Sequence, residues 1–161
     1  MNNTNTNELI FPWEKCDTSI PIVAVSHNNI TLNLMVDTGC NTSYIDESII
    51  DLLLVNKTEH LLGGIVFGDG STEQESPIYE IPLALGDFKF TEEFAAINLS
   101  STVKEFQDAF GIKIRGMLGS DFLTKYGFML DFKNKNIHII NGNNRQVKLD
   151  FESSESSKEA N

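Results

Sequence analysis

The sequence consists mainly of short apolar stretches that are separated by turn-forming residues. Apolar side chains occupy alternate positions of residues 30–36, which is the period of a strand with one buried face. Where clusters of Asn, Asp or Gly join two such stretches, the turn chemistry predicts hairpins. The predicted strand pairs are 20–25 with 30–36, 65–67 with 72–78, 80–85 with 88–97, and 128–132 with 137–140. Helical signals are confined to 46–54 and 120–126, so we predict a mostly β domain with one or two short helices.

The length and charge of the chain restrict its domain organisation and its partners. With 161 residues, the chain is long enough for one domain with a buried core. We expect this domain to span residues 20–151, after a partly flexible N-terminal arm (1–19) and before a flexible acidic tail (152–161). A formal net charge of −11 repels phosphate backbones, so we expect no nucleic-acid partner.

Other features of the sequence bear on its compartment and on bound metals. No apolar run approaches the roughly 18 residues that span a bilayer, and the first residues lack the pattern of a secretory signal. We therefore expect a cytoplasmic protein without a membrane partner. Cys16 and Cys40 have no CxxC spacing, and His27, His60 and His138 have no metal-ligand spacing. We predict no disulfide framework, no metal site and no cofactor.

Two blocks of the sequence combine an apolar strand with a tight turn. The first delivers a carboxylate into Asp37-Thr38-Gly39, and the second leads from a strand through a glycine to a helix start. An isolated Asp-Thr-Gly is most often an ordinary turn. The two blocks in this order resemble the retropepsin-like aspartic peptidases, in which an Asp-Thr-Gly segment precedes an apolar-Leu-Gly-x-Asp-Phe-Leu block. The second block here reads Gly116-Met117-Leu118-Gly119-Ser120-Asp121-Phe122-Leu123.

The resemblance implies an all-β, closed-barrel-like fold and a catalytic Asp37. Two adjacent carboxylates that share a proton can supply the base that activates water and the acid that protonates a carbonyl oxygen. The chain has a single Asp-Thr/Ser-Gly triplet, so a homodimer is needed to bring two Asp37 side chains together. The resemblance also implies that the Thr38 hydroxyl bonds across to the partner. Gly39 allows a backbone N–H to approach the carboxylate.

The stretch from Phe67 to Ser71 is similar to the tip of the flap in pepsin-type enzymes, with Phe in place of Tyr. We therefore predict that residues 63–78 form a flap over an extended polypeptide substrate, with contacts from Phe67, Gly68, Asp69 and Gly70. A phosphate-binding loop at this turn is disfavoured because no Lys-Ser/Thr follows it.

Asp121 is a second carboxylate in these blocks, but it is better placed for helix capping and dipole compensation than for catalysis. Two alternatives to an active peptidase remain for the chain as a whole. The same fold could serve as a catalytically silent binding or dimerisation module. Outside this fold, a small β-barrel that binds a ligand is the other alternative.

Overall fold

The computed structural model describes residues 8–66, 70 and 72–140. The strands in these ranges are β1 (Glu8–Pro12), β2 (Ile22–His27), β3 (Ile30–Val36), β4 (Tyr44–Asp46), β5 (Lys57–Val66), β6 (Thr72–Leu85), β7 (Phe88–Ile97), β8 (Ile114–Leu118), β9 (Phe128–Asp131) and β10 (Asn136–Ile140). The α-helices are α1 (Ile50–Leu53), α2 (Ser100–Phe110) and α3 (Ser120–Tyr126), and a 3-10 turn (Glu47–Ile49) precedes α1. Within the described ranges, no helix is long and apolar enough to cross a membrane.

Six of the strands close into a barrel. Their order is β2-β3-β8-β4-β7-β6, and the pair Ser26–Ala84 joins β6 back to β2. Among the strands of the described residues, β5 pairs only with β6 and extends the sheet as a long hairpin. Strands β3 and β8 run parallel to each other, so the loops that follow them lie side by side. The predicted all-β, closed-barrel fold is confirmed.

The barrel interior is filled with apolar side chains from alternate strand positions. Leu34, Ile81 and Phe90 are almost completely buried there. Helix α3 packs on this core through Phe122, whose ring centroid lies 4.9 Å from that of Phe90. Burial of one such side chain contributes about 2–3 kcal/mol. The helix that follows β8 is therefore anchored to the barrel.

A second, three-stranded sheet has the order β1-β10-β9. Leu9 and Phe11 of β1 pack against the barrel core, while Ile10 faces outward. The segment 8–12 of the predicted N-terminal arm thus forms a strand that pairs with β10 along its whole length. The acidic tail, 152–161, lies outside the described residues.

The helices differ from the prediction in three places. The predicted helix over 46–54 is shorter, because Asp46 ends β4 and caps the following turn by accepting a hydrogen bond from Ser48 N at 3.3 Å. Helix α2 was not predicted, and it raises the number of α-helices in the described part of the chain to three. Helix α3 covers the predicted residues 120–126, but its N-cap is Gly119 and Ser120 is the first helical residue, although a Ser at the start of a helical pattern is typical of an N-cap.

Candidate active site

Asp37 lies in a tight turn at the end of β3. Its backbone N–H donates to the Leu118 carbonyl oxygen at 3.0 Å, which fixes the turn against the end of β8. The Gly39 N–H donates to Oδ1 of Asp37 at 2.9 Å, as the sequence predicts. A Cβ on Gly39 would lie 3.2 Å from that oxygen. The turn therefore holds the carboxylate partly exposed, with Thr38 and Gly39 exposed beside it.

The loop after β8 packs directly against this turn. The Ser120 N–H donates to the Cys40 carbonyl oxygen at 2.8 Å. A Cβ on Gly119 would lie 2.6 Å from the Thr42 carbonyl oxygen, so the backbones approach more closely than any side chain there would allow. Gly119 of the second sequence block is thus required by the contact between the two loops.

A hydrogen-bond network ties the two loops together through Ser43 and Asp121. Ser43 Oγ donates to Asp121 Oδ1 at 3.0 Å and accepts from the Gly119 N–H at 3.0 Å. The Ser43 N–H donates to Asp121 Oδ2 at 3.2 Å. Ser43 is completely buried. Asp121 also accepts from the Phe122 N–H at 2.7 Å, so its carboxylate joins the first turn of α3 to the loop that carries Asp37.

Ser43 was not singled out from the sequence. Its partner Asp121 is 78 residues away along the chain, and a lone Ser in a loop carries no signal of such a contact. The Asp121 carboxylate lies in the first turn of α3, where its charge compensates the helix dipole as its position predicts, but the N-cap of α3 is Gly119 and has no side-chain cap hydrogen bond.

Cys40 lies close to the Asp37 carboxylate, and Tyr44 lies close to Cys40. Burial raises the pKa of the Cys40 thiol, and the charges of Asp37 and Asp121 act in the same direction. Burial also raises the pKa of the Tyr44 phenol, with a smaller contribution from Cys40. Both side chains are therefore neutral at neutral pH. Cys40 is a free thiol, as is Cys16.

The hairpin of β5 and β6 occupies the position of the predicted flap in the sequence. Gly64 and Gly70 have φ values of 71° and 83°, in the left-handed region that favours glycine. Gly70 is exposed. The other predicted flap contacts, Phe67, Gly68 and Asp69, lie outside the described residues.

Two of the three histidines have hydrogen-bond partners from distant parts of the chain. The His27 ring nitrogens lie 2.7 Å and 2.8 Å from the carbonyl oxygens of Pro82 and Leu53, and His138 Nδ1 lies 2.7 Å from Glu8. His60 is exposed in β5. Over residues 8–66, 70 and 72–140, no group of three or more His, Cys, Asp or Glu side chains is arranged to hold a metal ion.

Comparison with solved structures identifies the architecture. The retroviral protease-like domain of Ddi1 from Leishmania major matches with a TM-score of 0.53 and 18% identity, over 78% of this chain and 91% of that domain. The EIAV protease in complex with the inhibitor HBY-793 matches with a TM-score of 0.50 and 19% identity, over 70% of this chain and 92% of that protease. The chain has the retropepsin fold. No protein-family model and no curated protein match the sequence. In this chain, the turn at Asp37 follows β3 and the loop at Gly119 follows β8, and the two are in direct contact.

Proposed function

We propose that this chain is an aspartic endopeptidase that acts as a homodimer. The observation that carries the proposal is the Asp37 carboxylate, which the Gly39 N–H holds at the exposed end of β3 in a retropepsin fold. A single chain supplies one such carboxylate, because it has one Asp-Thr/Ser-Gly triplet. Two chains related by a two-fold axis supply the pair that the chemistry needs.

In the proposed dimer the two Asp37 side chains share one proton. Like charges about 3 Å apart do not both ionise readily, so the pair titrates as a unit. The ionised carboxylate takes a proton from the attacking water while the protonated one donates to the carbonyl oxygen of the substrate. Thr38 is exposed in the single chain, so its hydroxyl is available to bond across the axis.

The hairpin of β5 and β6 would cover the substrate. An extended peptide gains main-chain hydrogen bonds by lying against a strand, while side-chain pockets provide specificity. The glycines at 63, 64 and 70 leave the backbone of this hairpin open to such an approach.

Two competing functions make different predictions. A silent binding module would share the fold and would bind peptide without turnover. A ligand-binding barrel would need interior space, whereas Leu34, Ile81 and Phe90 fill the interior here, so the ligand-binding barrel is disfavoured.

The proposal is tested by digesting a diverse peptide pool with the wild-type protein and with Asp37→Asn, from acidic to neutral pH, and reading the products by mass spectrometry. Light scattering on both proteins gives the assembly state, and circular dichroism checks the fold of the variant. We expect cuts by the wild type and none by Asp37→Asn. A dimeric wild type that makes no cuts would favour the silent module, and equal cutting by the variant would remove Asp37 from the mechanism.

A further inference from the structure

A cavity of about 380 Å³ opens between helix α2 and strand β8. One side of α2 forms one wall, and the end of β4, the 3-10 turn after it and the first half of β8 form the other. Its volume lies within the range of roughly 300–1,000 Å³ that is typical of ligand pockets. The catalytic turn at Asp37 is not part of the wall.

A row of side chains on β4 and β8 leads from the loop that carries Asp37 toward the cavity. On β4, Tyr44 and Asp46 are on the same face, since side chains alternate along a strand. Tyr44 is opposite Met117 of β8, and Arg115 Nη1 donates to Asp46 Oδ2 at 3.1 Å. Met117 and Arg115 are both partly buried and share a face of β8. This row of side chains therefore runs from Tyr44 and Met117 to Asp46 and Arg115, which line the cavity.

The distance from the catalytic turn to the cavity follows from the strand geometry. The Asp37 N–H bonds to Leu118, and Arg115 precedes Leu118 by three strand residues. At about 3.3 Å for each residue, the backbone of Arg115, whose side chain lines the cavity, is about 10 Å along β8 from the turn. An extended peptide covers that distance with about three residues.

The cavity is suited to a carboxylate. Arg115 has five N–H donors, and in the described part of the chain its one side-chain partner is Asp46, a buried carboxylate. The Arg115 side chain is 24% exposed, so further donors can reach a ligand. Lys104 and Lys113 also line the cavity. A guanidinium fork fits a carboxylate in two parallel hydrogen bonds.

The charge balance of the cavity differs from that of the rest of the chain. Its lining has three basic and three acidic side chains, whereas the whole chain has 12 basic and 23 acidic residues. Two of the acids are paired, Asp46 with Arg115 and Asp108 with Lys104. The remaining two charged side chains are Glu47 and Lys113, so the formal charges that line the cavity sum to zero. An incoming carboxylate is thus repelled less here than over most of the surface.

We propose that this cavity binds the side-chain carboxylate of an Asp or Glu in the substrate, about three residues from the scissile bond. The proposal rests on the endopeptidase function proposed above. A two-fold symmetric dimer has two such cavities, one on each side of the active site. The preference for an acidic residue is therefore expected on both sides of the cut, at the same distance from it.

Cleavage of matched peptides tests the preference. We compare kcat/KM for peptides with Glu and with Gln about three residues from the cut, using the wild type, Lys113→Glu and the control Lys133→Glu. Both variants change the net charge equally at an exposed lysine, but Lys133 lies in the turn between β9 and β10. We expect the Glu peptide to be favoured about fivefold by the wild type and by the control, and the preference to be lost in Lys113→Glu. No preference in the wild type, or an equal loss in both variants, would overturn the proposal.

A second measurement does not depend on turnover. The chain has two arginines, Arg115 and Arg145, so an NMR spectrum of the arginine Nε–H groups has two signals, and Arg145→Lys assigns them. With Asp37→Asn protein, which keeps the peptide intact, we expect the Glu peptide to shift the Arg115 signal more than the Gln peptide does. Equal shifts would overturn the cavity proposal even if the wild type cleaves. A selective shift without any cleavage by the wild type would support the cavity and contradict the endopeptidase function.

Discussion

Replacement of Ser43 by Ala tests whether the network between the two loops stabilises the fold. The change removes the hydroxyl that donates to Asp121 and accepts from the Gly119 N–H, each at 3.0 Å. Because Ser43 is completely buried, water cannot replace the lost partner without a rearrangement. An unsatisfied buried donor costs about 1–3 kcal/mol, and the lost bond to a charged group is of similar size. We expect Ser43→Ala to lower the free energy of unfolding by about 3 kcal/mol.

The assay is denaturant unfolding of the wild type and of two variants, with the slope of the transition compared to confirm that the same surface is exposed. The matched control is Ser101→Ala, since Ser101 is exposed on α2 and surface changes of this kind stay within about 0.5 kcal/mol. For a domain of this size the predicted loss corresponds to about 6–12 °C in Tm. If Ser43→Ala unfolds within about 0.5 kcal/mol of the control, the network does not hold the loops together.

The other predictions concern the same loops and the second sheet. Gly119→Ala places a Cβ 2.6 Å from the Thr42 carbonyl oxygen, so we expect about 2 kcal/mol of destabilisation in the same unfolding assay; an unchanged Tm would refute the close approach. Burial raises the pKa of Cys40, and the thiolate is the form that reacts. Cys40 should therefore react with iodoacetamide more slowly at neutral pH than free cysteine does, as measured by peptide mass spectrometry; equal rates would contradict this. The Asn134 N–H and side-chain amide lower the pKa of Asp131, so folding favours the ionised form. This stabilisation is present above the ordinary carboxyl pKa and is lost as the pH falls through the lower folded value. The stability difference between the wild type and Asp131→Asn should therefore shrink in acid, and a difference that is constant with pH would contradict the assignment.

The sequence predicted the parts of the fold that depend on local pattern. The turns at Asn28 and Gly86 have positive φ, as the turn residues indicated, and the strands on either side pair as predicted. The strand boundaries were less accurate. Residues 72–78 and 80–85 were predicted as separate strands but form one continuous strand, β6, because pairing with β5 and β7 on its two sides overrides the local break.

Other features depend on contacts between distant residues. Strand β4 is only three residues long and is defined by its pairing with β7 and β8, so its three residues show no period of their own. Helix α2, in contrast, did carry a local signal that the prediction missed. Val103, Phe106 and Phe110 recur at three- and four-residue spacing, and Gly111 ends the helix in the left-handed region. At the site, the placement of Asp37 and Gly39 followed from the motif, whereas the contact of Ser43 with Asp121 did not.

The most direct test of the account is to mix wild-type chains with Asp37→Asn chains and to measure cleavage of one peptide substrate. The active site is proposed to need an Asp37 from each subunit, so a heterodimer of one wild-type and one variant chain should be inactive. After subunits exchange in an equal mixture, about a quarter of the dimers retain both Asp37 side chains, and the activity for each wild-type chain falls to about half. If the activity for each wild-type chain stays constant or rises as the variant is added, although light scattering and a tagged partner confirm that the chains exchange, then one Asp37 suffices and the shared-carboxylate mechanism is wrong.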